Sequence, residues 1–212
     1  MIQNRIKTSL INTLKYFGRG IVLPVDAIKN TIRQTLTKNH VSQITDFGAG
    51  TLFWSKWFAE ELELTVFAVD TAYENNPPKN DSQRISFQTN IVESLQEKIR
   101  EDKRAIFICD VIHHLSPSFW RSVFPQITKS FDVIFIKDID ANYKFGNFCN
   151  RLHDRIINGE KIHNVYPGKI DVYPGKIEDY LVKSGFTTQT KIIPKLWYPH
   201  FFLSGVKNFT ED

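Results

Sequence analysis

The stretch ITDFGAGTLFW, residues 44 to 54, carries an aspartate and two glycines where an apolar run gives way to a helix-like segment. A dinucleotide-binding turn has the spacing G-x-G-x-x-G. Here Gly48 and Gly50 fill the first two positions, but Phe53 occupies the third. Asp46 stands two residues before the first glycine, and a carboxylate there would repel a pyrophosphate. The stretch therefore predicts a strand-to-helix turn that suits a cationic ligand better than a dinucleotide.

Beyond residue 41, short apolar runs alternate with helix-like segments. Strands are predicted at residues 41–45, 65–69, 85–87, 105–109 and 132–136, and helices at 52–62 and 91–100. Several runs are β-branched or aromatic without in/out alternation, which is typical of strands covered on both faces. Near the end, a helix at 177–186 precedes the runs TTQTKII and HFFLSGV, which predict two antiparallel closing strands. The pattern predicts an α/β fold with a mostly parallel sheet of seven strands, an antiparallel C-terminal strand and helices on both faces.

The 212 residues, 42% of them hydrophobic, are enough for one sizeable core and too few for two comfortable domains. Residues 1–40 are predicted to form a helical arm, which would serve as a lid, and residues 41–212 the main domain. The arm carries seven Lys or Arg residues against one acid, a net charge of +6, while the remainder of the chain sums to −2. Such an arm can meet anionic lipid, nucleic acid or an acidic substrate, and it can equally be a solvated helix face.

The cysteines and the apolar runs bear on the cellular compartment of the protein and on membrane association. Cys109 and Cys149 form no C-x-x-C motif and no disulfide framework, which suits a reducing, cytoplasmic environment. No apolar stretch approaches the roughly 18 to 20 residues needed to span a bilayer. The sequence thus predicts a soluble protein with at most peripheral membrane contact through its basic arm.

The segment VYPGKIDVYPGKI, residues 165–177, contains VYPGKI twice at a spacing of seven. Pro-Gly pairs mark turns, so the segment is predicted to be a surface loop. That loop is either a tolerated duplication or a substrate flap.

Residues Asp46-Phe47-Gly48-Ala49-Gly50-Thr51 resemble the first motif of the class I S-adenosylmethionine-dependent methyltransferases. The resemblance implies a Rossmann-like fold and S-adenosylmethionine as the cofactor. It also implies that the residues from Asp46 to Gly50 lie at the methionine end of that cofactor, where the acid helps to hold the amino group. The family often has a further glycine where this chain has Leu52.

Three further strand ends match positions that the family uses: a ribose position at Asp70 and Thr71, an adenine position at Asn90 and Ile91, and the fourth motif at Asp110 and Val111. A carboxylate at Asp70 can accept hydrogen bonds from both ribose hydroxyls. Asn90 departs from the usual acid, although an amide oxygen can accept a bond from the adenine amino group. Since the carboxyl ends of parallel strands share one edge, a single adenosyl site is predicted there.

The candidate catalytic residues follow the fourth and fifth predicted strands. The methyl donor is already activated, so the protein must position the acceptor and in some cases remove its proton. His114 and His113 are the leading candidates for that base because neutral imidazole accepts a proton near pH 7. Just beyond the fifth strand, Asp138 could orient or deprotonate a hydroxyl, and Lys137 could neutralise an acidic acceptor. The remaining predicted substrate contacts are Asp140, Tyr16 and Arg151.

The leading hypothesis is an S-adenosylmethionine-dependent methyltransferase that acts on an oxygen or nitrogen of a small-molecule, sugar or lipid-linked acceptor. The alternative is a non-catalytic binding or scaffold protein of the same fold. Nucleic-acid methylation is disfavoured because Val-Ile-His follows Asp110 in place of an NPPY-like motif, and hydride transfer is disfavoured by Phe53. Asp138 and Asp140 could hold a divalent metal, but no third ligand is recognisable, so no metal is predicted. The sequence specifies no oligomeric state.

Overall fold

The computed structural model describes residues 25–75, 77–79, 81–96, 103–140, 174–193 and 200–208. Within these ranges the helices are α1 (Val25–Lys38), α2 (Phe53–Glu61), α3 (Ile91–Gln96), α4 (Pro117–Ser130) and α5 (Pro174–Lys183). The strands are β1 (Gln43–Phe47), β2 (Thr65–Val69), β3 (Ile85–Gln88), β4 (Arg104–Cys109), β5 (Val133–Ile139), β6 (Phe186–Ile193) and β7 (His200–Lys207). Two short 3₁₀ turns, Thr71–Glu74 and Ile112–His114, follow β2 and β4.

All seven strands belong to one sheet, in the order β3-β2-β1-β4-β5-β7-β6. The pairs among β1 to β5 are parallel, and β7 runs antiparallel to both β5 and β6. The predicted fold class is therefore confirmed. The strand order reverses between β1 and β4, and open α/β sheets bind ligands at such a reversal, outside the carboxyl ends of the strands.

The register of the sheet brings the ends of distant segments level with one another. Phe47 pairs with Val69 on one side and with Ile108 on the other, so the residues that follow β1, β2 and β4 emerge side by side. Because β7 is antiparallel, its first residue, His200, lies opposite Ile139 at that same edge. Residues from the end of the chain thus join those of the central strands.

Helices cover both faces of the sheet. On one face, α1 and α2 pack Ile28, Ile32, Trp57 and Phe58 against strand residues such as Phe107. On the other face, α3, α4 and α5 pack their apolar sides against alternate strand residues such as Ile106 and Ile134. The central strands β1, β4 and β5 consequently lack a solvent face, as their continuous apolar runs predicted. None of the described helices has the length and apolarity needed to cross a bilayer.

The second half of the predicted arm is part of the main core. Its helix, α1, buries Ile28, Ile32 and Leu36, and Lys29 lies 4.9 Å from the ring centre of Trp57. The apolar side of this helix therefore faces the core. The first 24 residues, including Tyr16, lie outside the described residues, so the boundary at residue 40 and the lid stay predictions.

The end of β5 was predicted wrongly. The strand was expected to stop at residue 136, with Lys137 and Asp138 just beyond it, but it continues to Ile139. Charged residues ordinarily argue against a central strand. Here β7 pairs alongside both residues, and each side chain has an ionic or hydrogen-bonded partner inside the protein.

The predicted surface loop at 165–177 is also wrong for its last four residues. Pro174 to Ile177 form the first turn of α5, and Pro174 and Ile177 are buried. Proline is well suited to the first turn of a helix because its fixed φ is helical and an N–H there has no partner in the helix. The first copy of the repeat lies outside the described residues.

Candidate active site

The glycine turn after β1 is fastened to β2 through its own amides. The N–H groups of Gly48 and Ala49 both donate to the carbonyl oxygen of Val69, at 2.8 and 3.1 Å. The N–H of Gly50 donates to Oδ2 of Asp70 at 2.9 Å. A phosphate cradle needs such amides to point at the ligand. Because these three amides are already bonded inside the protein, the turn does not suit a pyrophosphate.

The two glycines have different functions in this turn. Gly48 has φ +82°, and a Cβ there would lie 1.9 Å from Cγ2 of Val111, so this glycine allows β1 and the loop after β4 to pack together. Gly50 has φ +49°, and a Cβ there would meet nothing closer than the Gly48 carbonyl oxygen at 3.9 Å. The backbone at Gly50 therefore has open space beside it that a ligand can enter. Leu52, at the position where the family often has glycine, also has a positive φ of 64°.

Asp70 borders that open space with a fixed carboxylate. One oxygen accepts the Gly50 N–H, and the other accepts the N–H of Ala72 at 2.9 Å, which caps the 3₁₀ turn that Thr71 begins. Each carboxylate oxygen has two acceptor sites, so both oxygens keep one for a diol. The partly exposed position of Asp70 fits the predicted ribose contact.

Asn90 caps the next helix along the sheet edge. Its Oδ1 accepts the N–H of Val92 at 3.0 Å, so Asn90 caps the start of α3. The side chain is exposed, while Ile91 beneath it is buried. The adenine contact of Asn90 and Ile91 stays a prediction.

Asp46 lies under the turn and is almost fully buried. Its Oδ2 accepts a hydrogen bond from the Ser55 hydroxyl at 2.6 Å. Burial raises the pKa of Asp46 to about 7, against the opposing effect of the Ser55 bonds and with a further increase from the charge of Asp70. A cation bound nearby would stabilise the ionised form.

Asp110 and Lys137 form an ion pair across β4 and β5. The Lys137 ammonium lies 2.5 Å from both carboxylate oxygens of Asp110, and Nε2 of His200 lies 3.7 Å from Oδ1. The Lys137 side chain is 1% exposed and that of Asp110 is 43% exposed. Burial alone would raise the pKa of Asp110, but Lys137 and His200 hold it well below its usual range. Likewise burial opposes the charge of Lys137, but Asp110 raises the pKa of that lysine above its usual value.

Asp138 pairs with the first of the two adjacent histidines. Its Oδ1 lies 2.6 Å from Nδ1 of His113, and its Oδ2 accepts the N–H of Ile112 at 2.9 Å. The ring centres of His113 and His114 are 3.9 Å apart. The structure thus brings together three predicted catalytic residues and connects the carboxylate to His113, whereas the sequence favoured His114 slightly.

The other predicted contact residues differ in burial and in their partners, and two of them lie outside the described residues. Phe47 is a buried core residue, Asp140 is buried just after β5, and the ammonium of Lys137 is paired with Asp110 instead of standing free for an acceptor. Arg151, like Tyr16, lies outside the described residues. Among the residues that the structure describes, no three His, Cys, Asp or Glu side chains are grouped to hold a metal ion.

Three residues of the site escaped the sequence analysis: Ser55, Tyr73 and His200. The Tyr73 hydroxyl donates to the Gly50 carbonyl oxygen at 2.9 Å and so holds the turn from the β2 side. Only Tyr73 had a local signal, an aromatic residue three positions after the strand-end acid Asp70. The contacts of Ser55 and His200 depend on tertiary structure.

Several solved methyltransferase structures superpose on this chain. The plantazolicin methyltransferase BamL, in complex with a triazolic desmethylPZN analogue and S-adenosylhomocysteine, superposes with a TM-score of 0.67 at 12% identity over 96% of this chain and 91% of that chain. This chain has the class I methyltransferase fold. A SAM-dependent methyltransferase from Archaeoglobus fulgidus has a TM-score of 0.55 at 13% identity, over 84% of this chain and 94% of that one.

The N-methyltransferase NodS from Bradyrhizobium japonicum WM9 has a TM-score of 0.53 at 11% identity, over 87% of this chain and 97% of that chain. No family model matches the sequence, and no curated protein matches it. The resemblance predicted from the strand-end motifs is therefore confirmed through structure. At 11 to 13% identity, these comparisons show the methyltransferase fold and not the acceptor.

Proposed function

We propose that the protein is an S-adenosylmethionine-dependent methyltransferase that modifies an oxygen or nitrogen of a small-molecule acceptor. The cofactor would supply a methyl group on a positively charged sulfur. One observation carries the proposal: at the reversal of strand order, Asp70 is fixed beside the open backbone of Gly50. This arrangement has room and acceptors for a ribose diol.

The charges at this edge also fit a cationic ligand. Asp46 and Asp70 are both acids near the turn, and the amides that could favour an anion are bonded to Val69 and Asp70. The protonated fraction of Asp46 near pH 7 would ionise beside the cofactor's ammonium. A nicotinamide dinucleotide would instead place a pyrophosphate against two carboxylates and a turn whose amides are already used. The proposed cofactor agrees with the S-adenosylhomocysteine held by BamL.

The ribose contact is tested by Asp70→Ala. The loss of a charged acceptor for two hydroxyls should weaken S-adenosylhomocysteine binding about 10- to 100-fold, measured by isothermal titration calorimetry. Asp132→Ala is a matched control. Asp132 is also partly exposed and accepts a backbone N–H, from Arg104 at 2.9 Å, but it lies at the opposite edge of the sheet.

The two variants should lose similar stability because each removes a carboxylate acceptor from backbone N–H groups. Only Asp70→Ala should lose cofactor affinity. Equal dissociation constants for wild type and Asp70→Ala would contradict the proposed site. Equal losses in the two variants would attribute the effect to general destabilisation.

A further inference from the structure

We propose that Asp138 positions His113 as the base for a hydroxyl acceptor, so that the protein methylates oxygen. This inference rests on the methyl transfer proposed above and narrows its acceptor to an alcohol or phenol. The two residues are called the His113–Asp138 dyad. The hydrogen bonds of the dyad, its burial and its position in the sheet support this role.

The Asp138 carboxylate is held by three donors. Besides Nδ1 of His113 and the N–H of Ile112, it accepts the N–H of Ile139 at 2.7 Å. The carboxylate is 1% exposed, so its position depends on these partners. An ionised carboxylate only accepts hydrogen bonds, and therefore the proton shared with His113 belongs to Nδ1. In the neutral ring, Nε2 then carries the lone pair that can accept a proton.

The dyad lies at the same sheet edge as the glycine turn. His113 belongs to the 3₁₀ turn that directly follows Asp110 at the end of β4. Val111, in the same connection, packs so closely on Gly48 that a Cβ there would overlap its side chain. The dyad is thus adjacent to the β1 turn, which is proposed to hold the methionine end of the cofactor.

The chemistry of the dyad favours a hydroxyl over an amine. An alkylamine loses its extra proton to water before it binds as the free base, which already presents its lone pair, and the methylated product can lose a proton to water after transfer. A hydroxyl keeps its proton at pH 7, since even a phenol has a pKa of about 10, so removal during transfer lowers the barrier. Burying the Asp138 carboxylate is unfavourable unless it is paired, and the His113 imidazole is one of its partners. The neighbouring acid, Asp110, is paired with Lys137, which leaves its charge already balanced and not reserved for a cationic amine.

The methyl transfer forms one bond to carbon and breaks one. A lone pair on the acceptor oxygen forms the bond to the methyl carbon, and the carbon–sulfur bond breaks with its electron pair remaining on sulfur. The acceptor proton passes to Nε2 of His113, giving an imidazolium that the Asp138 carboxylate stabilises. The imidazolium then releases the proton to water. His113 is the catalytic base, and Asp138 is a positioning residue that acts through it.

The first test reads the tautomer of His113 directly. In ¹⁵N NMR spectra of the S-adenosylhomocysteine complex at pH 8, wild-type His113 should carry its proton on Nδ1. Asp138→Asn should lose that fixed tautomer, because an amide offers one oxygen and one donor in place of two oxygens. A wild-type His113 protonated on Nε2, or a tautomer unaffected by Asp138→Asn, overturns the role of Asp138.

The second test compares model acceptors: phenol, catechol and benzyl alcohol against benzylamine, with S-adenosylmethionine as donor. Wild type should methylate one or more of the hydroxyl compounds in preference to benzylamine. His113→Gln and Asp138→Asn should lower kcat about 10²- to 10⁴-fold with little change in KM. The loss of kcat in His114→Gln should be at least about tenfold smaller than the loss in His113→Gln. Asp132→Asn should leave kcat unchanged.

Cofactor affinity separates this inference from the proposed function. All of these variants should bind S-adenosylhomocysteine within about threefold of wild type. If wild type does not bind it, the proposed function fails. If it binds but the protein methylates only benzylamine, methylates none of the hydroxyl compounds, or keeps its kcat in His113→Gln, this inference fails alone.

Discussion

Asp46 shows how one buried side chain links the cofactor site to stability. Its carboxyl group is enclosed by the core, and the hydrogen bond from Ser55 offsets only part of the burial penalty. The folded-state pKa of about 7 therefore exceeds the ordinary value of 3.8. Between these two values the folded protein holds a proton that the unfolded chain has lost. The free energy of unfolding should thus decrease as the pH rises through this window.

We predict that Asp46→Asn removes this pH dependence, because an amide does not ionise while its oxygen can still accept the Ser55 bond. Relative to the variant, wild type should lose up to roughly 4 kcal/mol between pH 4 and pH 8. Urea unfolding at pH 4 and pH 8 measures the difference. Parallel pH profiles for the two proteins would show that Asp46 titrates normally in the folded state.

Leu52 stands where the family's motif often has glycine. The packing of its side chain compensates for this departure. Its left-handed backbone costs about 1–2 kcal/mol for a residue with a Cβ. The side chain is buried among the residues of the α1 and α2 face, and burial of a leucine contributes about 1.5–3 kcal/mol. The two effects are of similar size. A glycine here would relieve the backbone but lose the core contact.

At the level of elements, β4 and β5 are joined by an ion pair whose two members differ in exposure. Lys137 has almost no contact with solvent, whereas nearly half of the Asp110 side chain remains accessible. Removing Asp110 leaves a buried ammonium, while removing Lys137 leaves a carboxylate that water can still reach. The two single substitutions should therefore have unequal costs.

Asp110→Asn should destabilise the protein by about 3–5 kcal/mol, the usual cost of an unpaired buried charge. Lys137→Met should cost about half as much, since solvent screens the remaining carboxylate. The double variant should be more stable than Asp110→Asn alone, because no charge is then left unpaired. Urea denaturation of the four proteins checks this order. A greater loss in Lys137→Met than in Asp110→Asn would mean that the pair is more solvated than its burial indicates.

Helix and strand boundaries were predictable where apolar periodicity was uninterrupted. The predicted limits of β2 are those observed, and β3 and β4 differ by one residue at one end. The prediction for β5 ended early because Lys137 and Asp138 look like loop residues when their partners, Asp110 and His113, are unknown. For α5, the Pro-Gly pair at 174–175 looked like a turn, although the same proline can start a helix.

At the scale of the whole molecule, the sheet topology explains which site residues the sequence could locate. Asp70, Asn90 and Asp110 follow parallel strands and Asp46 is the penultimate residue of another, so their shared edge follows from strand order alone. His200 reaches that edge only because β7 runs antiparallel beside β5, and no local pattern reports this pairing. The sequence also could not show that the turn's amides are used internally.

The fixed Asp70 carboxylate and the internally bonded amides lead us to expect that this edge binds an adenosylmethionine ligand and not a dinucleotide. Isothermal titration calorimetry of the wild-type chain with S-adenosylhomocysteine and, separately, NADH tests it most directly. We expect saturable binding of one equivalent of S-adenosylhomocysteine and no binding of NADH. Binding of NADH alone, or of neither compound, would contradict it.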